Sequence, residues 1–388
     1  MTKPYPYIDG YESAVPVADP FTERSTYNAK VDRTDERIRR LIANAPTVSL
    51  HDHAFLLPAD LNAENWGKWR AAKRVEFAYE GVRASGLTAG VFTSNSWHTA
   101  AEIETMFIRF IADLDHHENV HLVRRFRDLL AGRNTVEGAL PTSVGVILGL
   151  ESMTEFAHDL DSVEHLYGIG VRLGGMIYSD GNILGGGLNS TFDEGITTQG
   201  KAFVRQMNSI GMVVDLAHAG DKTTFDTIEY SEKPILVSHA GARSLWPTTR
   251  MKPDSLVKAL AASGGLIGVE AAPNSTLVPG GGAHDIAQVM QHAERLIEVG
   301  GIDSVALGLD VTYGPHHQLH AIRAQGTHTG TDPVDGRPAS SMVDGLENPT
   351  ESFWNIAHWL IEHGYSDEDA SKLLGGNAVR YFEQVLVP

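Results

Sequence analysis

The sequence predicts an α/β protein built as a closed (β/α)8, TIM-like barrel, and three observations carry that expectation. Eight short runs are nearly continuous in apolar, largely β-branched residues, helical patterns lie between most of them, and several run out into histidine or a carboxylate. A strand that is apolar on both faces belongs to a parallel sheet covered on both sides, and eight such strands are the number that closes a barrel. An open doubly wound sheet is the alternative.

In chain order, residues 1 to about 33 are rich in Pro, Tyr and Asp without periodicity, so they are expected as an extended arm on the body. The stretch "TDERIRRLIANA" predicts a helix with Thr34 as N-cap and Asp35 and Glu36 in its first turn. Residues 1–46 then form an arm and helix packed on the barrel, and 47–388 a single catalytic domain. The first strand, in "TVSLHDHAFLLP", is expected to end at His51. Further strands are predicted at 87–93, 144–151, 168–178, 211–218, 234–239, 264–271 and 304–310. The helices "TTQGKAFVRQMNSIG" (197–211) and "DIAQVMQHAERLIEVGG" (285–301) each close on glycine, as a helix C-terminus requires. "LGGGLNS" (184–190) follows no strand-to-helix phosphate pattern and reads as loop. The irregular stretch from about 311 to 348 is long enough to act as a lid at the top of the barrel.

Composition narrows the function. The 388 residues are 42% hydrophobic and 21% charged, which suits a large buried core. A net charge of −18 disfavours nucleic acid and anionic membranes and points to a small-molecule partner. With no cysteine, thiolate nucleophiles, disulfides and Cys-based zinc sites are excluded, and any metal must be held by His, Asp or Glu. The N-terminus lacks the basic start and apolar segment of a signal peptide, and no run approaches a membrane span, so the chain is read as cytoplasmic. A homodimer is compatible with an acidic barrel carrying an arm.

Five strands end in residues able to bind a metal: His51 and His53 after the first, Glu151 after the third, His218 after the fifth, His239 after the sixth and Asp310 after the eighth. An isolated His-x-His is more often a pair of core histidines. In a closed barrel, however, the C-terminal strand ends form one ring, so these side chains converge despite their separation in sequence, and no matching carboxylates are expected inside the strands. Imidazole and carboxylate without sulfur suit Zn²⁺, with Mn²⁺ or Fe²⁺ as alternatives, and the set exceeds what one tetrahedral ion needs. Two divalent ions follow, with Glu151 able to bridge them. Such a pair makes water acidic enough to supply hydroxide near neutrality and polarises a carbonyl, so hydrolysis is the natural reaction class.

The motifs "GVILGLES" around Glu151, "GVRLGGMIY", "GITTQGKAFVRQMNSIGMVVDLAHAG" with His218, "PILVSHAGARSLWPTTRMKPDSL" with His239 and Arg250, "VALGLDVTYG" with Asp310 and "ASKLLGGNAVRYFEQV" occur in that order over residues 47–388. In them the chain resembles the membrane (renal) dipeptidases, the peptidase branch of the amidohydrolase superfamily. The resemblance implies a barrel with two zinc ions that hydrolyses dipeptides. It implies that His51 holds one metal, Glu151 bridges, and His218 and His239 hold the second. It also implies that Asp310 is the acid/base moving a proton to the leaving amine and that Arg250 pairs with the substrate carboxylate, a task suited to a guanidinium fork.

Two departures qualify this. His51-x-His53 stands where the family has His-x-Asp, which removes one negative charge from the cluster. Tyr178 stands where family dipeptidases carry a histidine that polarises the scissile carbonyl, and its hydroxyl can donate the same kind of hydrogen bond. Asp52, between His51 and His53, is expected to point away and support or pack. His316, His317, His320 and His328, in a Gly-rich loop, are expected as mostly solvated side chains rather than a metal site. The expected activity is therefore a zinc-dependent, dipeptidase-like metallohydrolase cutting an amide next to a free carboxylate by a metal-bridging hydroxide. The alternative is an amidohydrolase-superfamily enzyme acting on a non-peptide C–N or C–O bond, or decarboxylating, with one metal.

Overall fold

Eight parallel strands follow one another around a closed ring: β1 (Val48–Leu56), β2 (Ala89–Ser94), β3 (Val144–Leu150), β4 (Val171–Gly175), β5 (Val213–Asp215), β6 (Leu236–Ala240), β7 (Leu266–Val269) and β8 (Val305–Leu307). The pairing of Ser49 on β1 with Leu307 on β8 closes the circle. Helices lie between successive strands, so the predicted (β/α)8 barrel is found. The computed structural model describes residues 7–8, 10–22, 25–72, 74–94, 99–134, 136, 138–323 and 342–388. Among these, no helix is long and apolar enough to cross a membrane.

The barrel interior is filled, not hollow. Val48 and Leu50 of β1, Ala89 and Val91 of β2, Ile147, Leu173, Val213, Leu236 and Leu266 form one buried cluster with Tyr381 and Phe382 of the helix Asn377–Val385. That helix therefore plugs the end where the strands begin, leaving the opposite end for chemistry. It is reached through a tight passage: a Cβ on Gly375 would stand 2.2 Å from the carbonyl oxygen of Pro46, so only glycine lets the two backbones meet there. A second, larger apolar cluster fills the layer between strands and helices.

Several element boundaries differ from expectation for local reasons. The first strand does not stop at His51 but runs to Leu56, because the backbone beyond His51 finds new partners: Asp310 N–H donates to His51 O at 2.9 Å and His53 N–H to Val311 O at 3.0 Å. The first helix spans Glu36–Asn44 and is capped by Asp35, whose carboxylate accepts from Arg37 N–H and Ile38 N–H; the Thr34 hydroxyl is spent on Asp32. The strands at 168–178 and 211–218 are shorter than predicted, since past Gly175 and Asp215 the chain turns over the barrel rim. By contrast, the helix Thr198–Ile210 has Thr197 as its cap and ends on Gly211 at φ 79°, and Ile286–Gly300 is followed by Gly301 at φ 83°.

Within 311–348, His316–Arg323 is a helix and His316 is buried, contrary to the expectation of solvated histidines, because this helix lies against the barrel mouth. His328 and the rest of 324–341 lie outside the described residues. The N-terminal segment is tied to the barrel: Ala18 N–H donates to Leu57 O at 2.8 Å, and the Asp344 carboxylate accepts from Ser25 and Thr26.

Candidate metal and active centre

The way β1 delivers two histidines to one place depends on an irregularity. Val48 and Leu50 point into the barrel, so strict alternation would send His51 outward. Instead the pairing with β2 shifts register between Ser49 and Asp52, a bulge that resets the phase. A further shift follows His53 in its pairing with Thr312–Tyr313. Asp52 stays buried and accepts a long hydrogen bond from Val311 N–H at 3.4 Å, tying β1 to the segment after Asp310. Burial pushes its carboxyl up to about 7.

The six predicted strand-end groups meet. His218 Nε2 lies 3.1 Å from Glu151 Oε1 and 3.1 Å from His239 Nε2. Asp310 Oδ1 lies 3.1 Å from His53 Nε2 and 3.6 Å from His51 Nε2. The His51 ring stacks on that of His239 with centroids 3.7 Å apart. Asp310 adopts φ 55°, the left-handed region that a residue with a side chain occupies at a cost of about 1–3 kcal/mol. The loop after β8 holds it there, and the carboxylate faces His51 and His53.

Hydrogen bonds behind the histidines turn their Nε2 atoms inward. Ser238 donates its single hydroxyl proton to Asp215 Oδ2 at 2.6 Å, so at 2.7 Å it accepts from Nδ1–H of His239, leaving a lone pair on Nε2. Ser179 Oγ stands 3.1 Å from His218 Nδ1, and Thr93 O stands 3.4 Å from His53 Nδ1; both suit the same tautomer. Burial pushes the His51 imidazole down to about 3 and His239 well below the ordinary range, so both are neutral near pH 7.

This donor set fits divalent cations. Converging imidazole lone pairs and carboxylates repel one another unless a cation lies between them. Three triads bring their ligand atoms within 4.8 Å of one another: His51–Glu151–His239, His51–His53–Asp310 and His239–Glu270–Asp310. Glu151 Oε2 and His51 Nδ1 are enclosed and have no hydrogen-bond partner among the described residues, so the site has unused coordinating capacity.

A sequence profile described as "Membrane dipeptidase (Peptidase family M19)" matches residues 35–320. The chain belongs to this family. Among curated relatives of the dipeptidase family, "Dipeptidase tcpJ" of Claviceps purpurea is 26% identical over 244 residues, covering 62% of this chain and 50% of its own length. "Dipeptidase verJ" of Clonostachys rogersoniana is 25% identical and matched over 55% of its length, so the chain spans about half the length of these fungal relatives. An amidohydrolase from Pseudomonas aeruginosa superposes with a TM-score of 0.74 at 23% identity, covering 90% of this chain and 99% of that one. A Rhodobacter sphaeroides metallopeptidase solved with a phosphinate mimic of L-Ala-D-Ala gives 0.67 at 17% identity, covering 88% and 99%. At these identities the two structures bear on the fold alone.

Against the dipeptidase pattern, two predicted substrate residues have distinctive surroundings. Tyr178 is half-buried at the rim, its ring stacked on that of His218 with centroids 4.4 Å apart. Arg250 is only 3% exposed: its Nη1 donates to Ala217 O at 2.8 Å and its Nη2 pairs with Glu270 Oε2. Glu270, fully buried just past β7, was not among the predicted site residues. The strand-end signal that singled out Glu151 applies equally to it, since "LIGVEAAP" runs from apolar strand into a carboxylate. Asp215, at the end of β5, and Asp52, within β1, contradict the expectation that no carboxylates lie inside the strands; each is buried because backbone or serine donors compensate it. Beyond Glu270 and Asp310 a cavity of about 240 Å³ opens, lined by Ala271, Pro273, Val311, His316, Met342 and Val343.

Proposed function

We propose that the chain is a metal-dependent hydrolase cleaving the amide bond of a dipeptide or a similarly small amide. The observation that carries this reading is the ring of His51, His53, Glu151, His218, His239 and Asp310, whose lone pairs converge at the open end of the barrel. In the proposal His51, His53, Glu151, His218 and His239 hold two divalent ions, Zn²⁺ first among the candidates and Mn²⁺ or Fe²⁺ after it, with Glu151 shared. Bound there, the ions would supply a strongly acidified water and a Lewis acid for the substrate carbonyl.

The protein's own groups do the rest. Asp310, held toward His51 and His53, takes a proton from the attacking water and passes it to the amide nitrogen as the C–N bond breaks, so the amine leaves neutral. Tyr178, steadied by its stack on His218, donates a hydrogen bond to the carbonyl oxygen as charge develops on it. Arg250 receives the substrate carboxylate, and the neighbouring cavity takes an apolar side chain. Residues 47–388 act as one catalytic domain with the preceding arm bound to its surface, and the acidic barrel with its arm is compatible with a homodimer.

A second reading, an amidohydrolase-type reaction on a non-peptide bond with one metal, is favoured by one feature: the guanidinium meant for a carboxylate already has a carboxylate partner in Glu270. Metal analysis combined with a hydrolysis screen over L,L- and L,D-dipeptides and N-acyl amino acids separates the readings. Two metal equivalents with dipeptide turnover support the first; one equivalent with no peptide turnover overturns it. Arg250→Met gives a finer check. It is expected to raise KM more for free dipeptides than for C-terminally amidated ones, because only the former lose a charge-assisted pair.

A further inference from the structure

Arg250, in the loop after β6, and Glu270, just past β7, are 3% and 0% exposed and pair with each other. Neither oxygen of Glu270 has a well-aligned hydrogen-bond partner among the described residues, and the charge of Arg250, with smaller help from Ser275 and Lys252, offsets only part of a burial that pushes its carboxyl up to about 7. The guanidinium is also tied to Ala217 O, next to His218. A substrate carboxylate approaching Arg250 therefore meets a site where Glu270 already stands. It also comes close to Asp310, since ligand atoms of His239, Glu270 and Asp310 lie within 4.8 Å of one another. To bind, it must displace or share the internal partner against like-charge repulsion. A neutral amide or ester carbonyl meets no such competition, because it can accept from the guanidinium while Glu270 keeps its ionic contact.

We propose that Glu270 is a specificity-determining residue: as the built-in counter-ion of Arg250 it competes with free-carboxylate substrates and favours small amides whose far end is uncharged. Chemically, small amides and esters with an uncharged far end, such as dipeptide amides, are cleaved at least as well as the free dipeptides whose carboxylate has to share Arg250 with Glu270. This deepens the hydrolase reading and rests on it. The signal in the sequence is the single carboxylate of "GVEAAP", and its effect depends on Arg250, twenty positions earlier in the chain.

The test compares L-alanyl-glycine with L-alanyl-glycinamide on the metal-loaded protein, following cleavage of the Ala–Gly bond. The parent is expected to show kcat/KM for the amide at least equal to that for the free acid. E270Q is expected to shift the ratio toward the free acid by about tenfold, mainly through KM, the scale of one charge-assisted pair. An unchanged ratio, or one moving toward the amide, overturns the proposal. Circular dichroism checks the fold of E270Q; should it fail to fold, E270D, which withdraws the charge from Arg250 by one methylene, must move the ratio in the same direction. Absence of turnover on both substrates would be a failure of the hydrolase reading instead. Calorimetry with N-acetylglycine and N-acetylglycinamide then decides: E270Q must gain affinity for the acid alone, and equal affinities in parent and variant overturn the role of Glu270.

Discussion

His239 shows how neighbours can prepare one residue to coordinate a metal. Its Nδ1 is committed to Ser238, and Ser238 to Asp215, so its Nε2 faces the centre unprotonated. Removing the intermediate link should weaken the site without emptying it: Ser238→Ala is expected to lower metal affinity about 10–100-fold, read by equilibrium dialysis, with the secondary structure intact. Unchanged affinity would show that the serine orients nothing. Deleting a coordinating ring is more severe. His218→Ala and His239→Ala are each expected to abolish turnover and reduce bound metal while the barrel still folds, because both side chains lie at the rim outside the packed interior layers. Full metal occupancy in either variant would remove that residue from the donor set. The histidines were legible in the sequence as strand-end residues; the serine was not, since its spacing to His239 is that of any neighbour and only the third partner gives it meaning.

At the scale of elements, the helix Ala100–Leu114 carries a titratable group whose consequence can be worked out in sign. Asp113 is buried, accepts from the Tyr79 hydroxyl and sits 3.7 Å from His117 Nε2. Burial raises its carboxyl to about 6, with the Tyr79 hydrogen bond offsetting part of that rise. The folded protein therefore keeps this proton to higher pH than the unfolded chain, which releases it near 3.9. Between pH 4 and 6 the native state binds more protons, so this group lowers stability as pH rises through that window and then levels off. In Asp113→Asn that contribution is absent. The difference in Tm, variant minus parent, should grow from pH 4 to 6 and stay flat above; a constant difference would contradict the assignment. Backbone proximity makes a second element-level prediction. Gly375→Ala drives a methyl into Pro46 at the entrance to β1, and a loss of about 1–3 kcal/mol is expected, measured by chemical denaturation.

For the molecule as a whole, the plugged end and the open end divide stability from chemistry. The helix Asn377–Val385 seals the interior among Val48, Leu173 and Val213, whereas the opposite rim gathers carboxylates and imidazoles that repel or compete when no cation is present. Metal binding should therefore stabilise the fold. At a free metal concentration a hundred times Kd the gain is about 2.7 kcal/mol per site, so chelation is expected to lower Tm by several degrees, reversibly on adding metal back. An unchanged Tm on chelation of a protein shown to carry metal would mean the rim is rigid without it.

The sequence by itself determined the barrel, because a doubly buried parallel strand must be apolar throughout and eight such runs with helices between them admit few closures. It also determined which residue types stand at the strand ends, and with them the cluster from His51 to Asp310. Tertiary structure alone decided two other things. One is the aim of His51 and His53, because strict alternation is broken by a register shift that exists only once β1 lies beside β2. The other is the state of Arg250, in the loop after β6, whose charge is met by a carboxylate just past β7. In both cases the deciding interaction is non-local: pairing register and ion-pair partner are properties of segments brought together by folding, and no spacing along the chain encodes them.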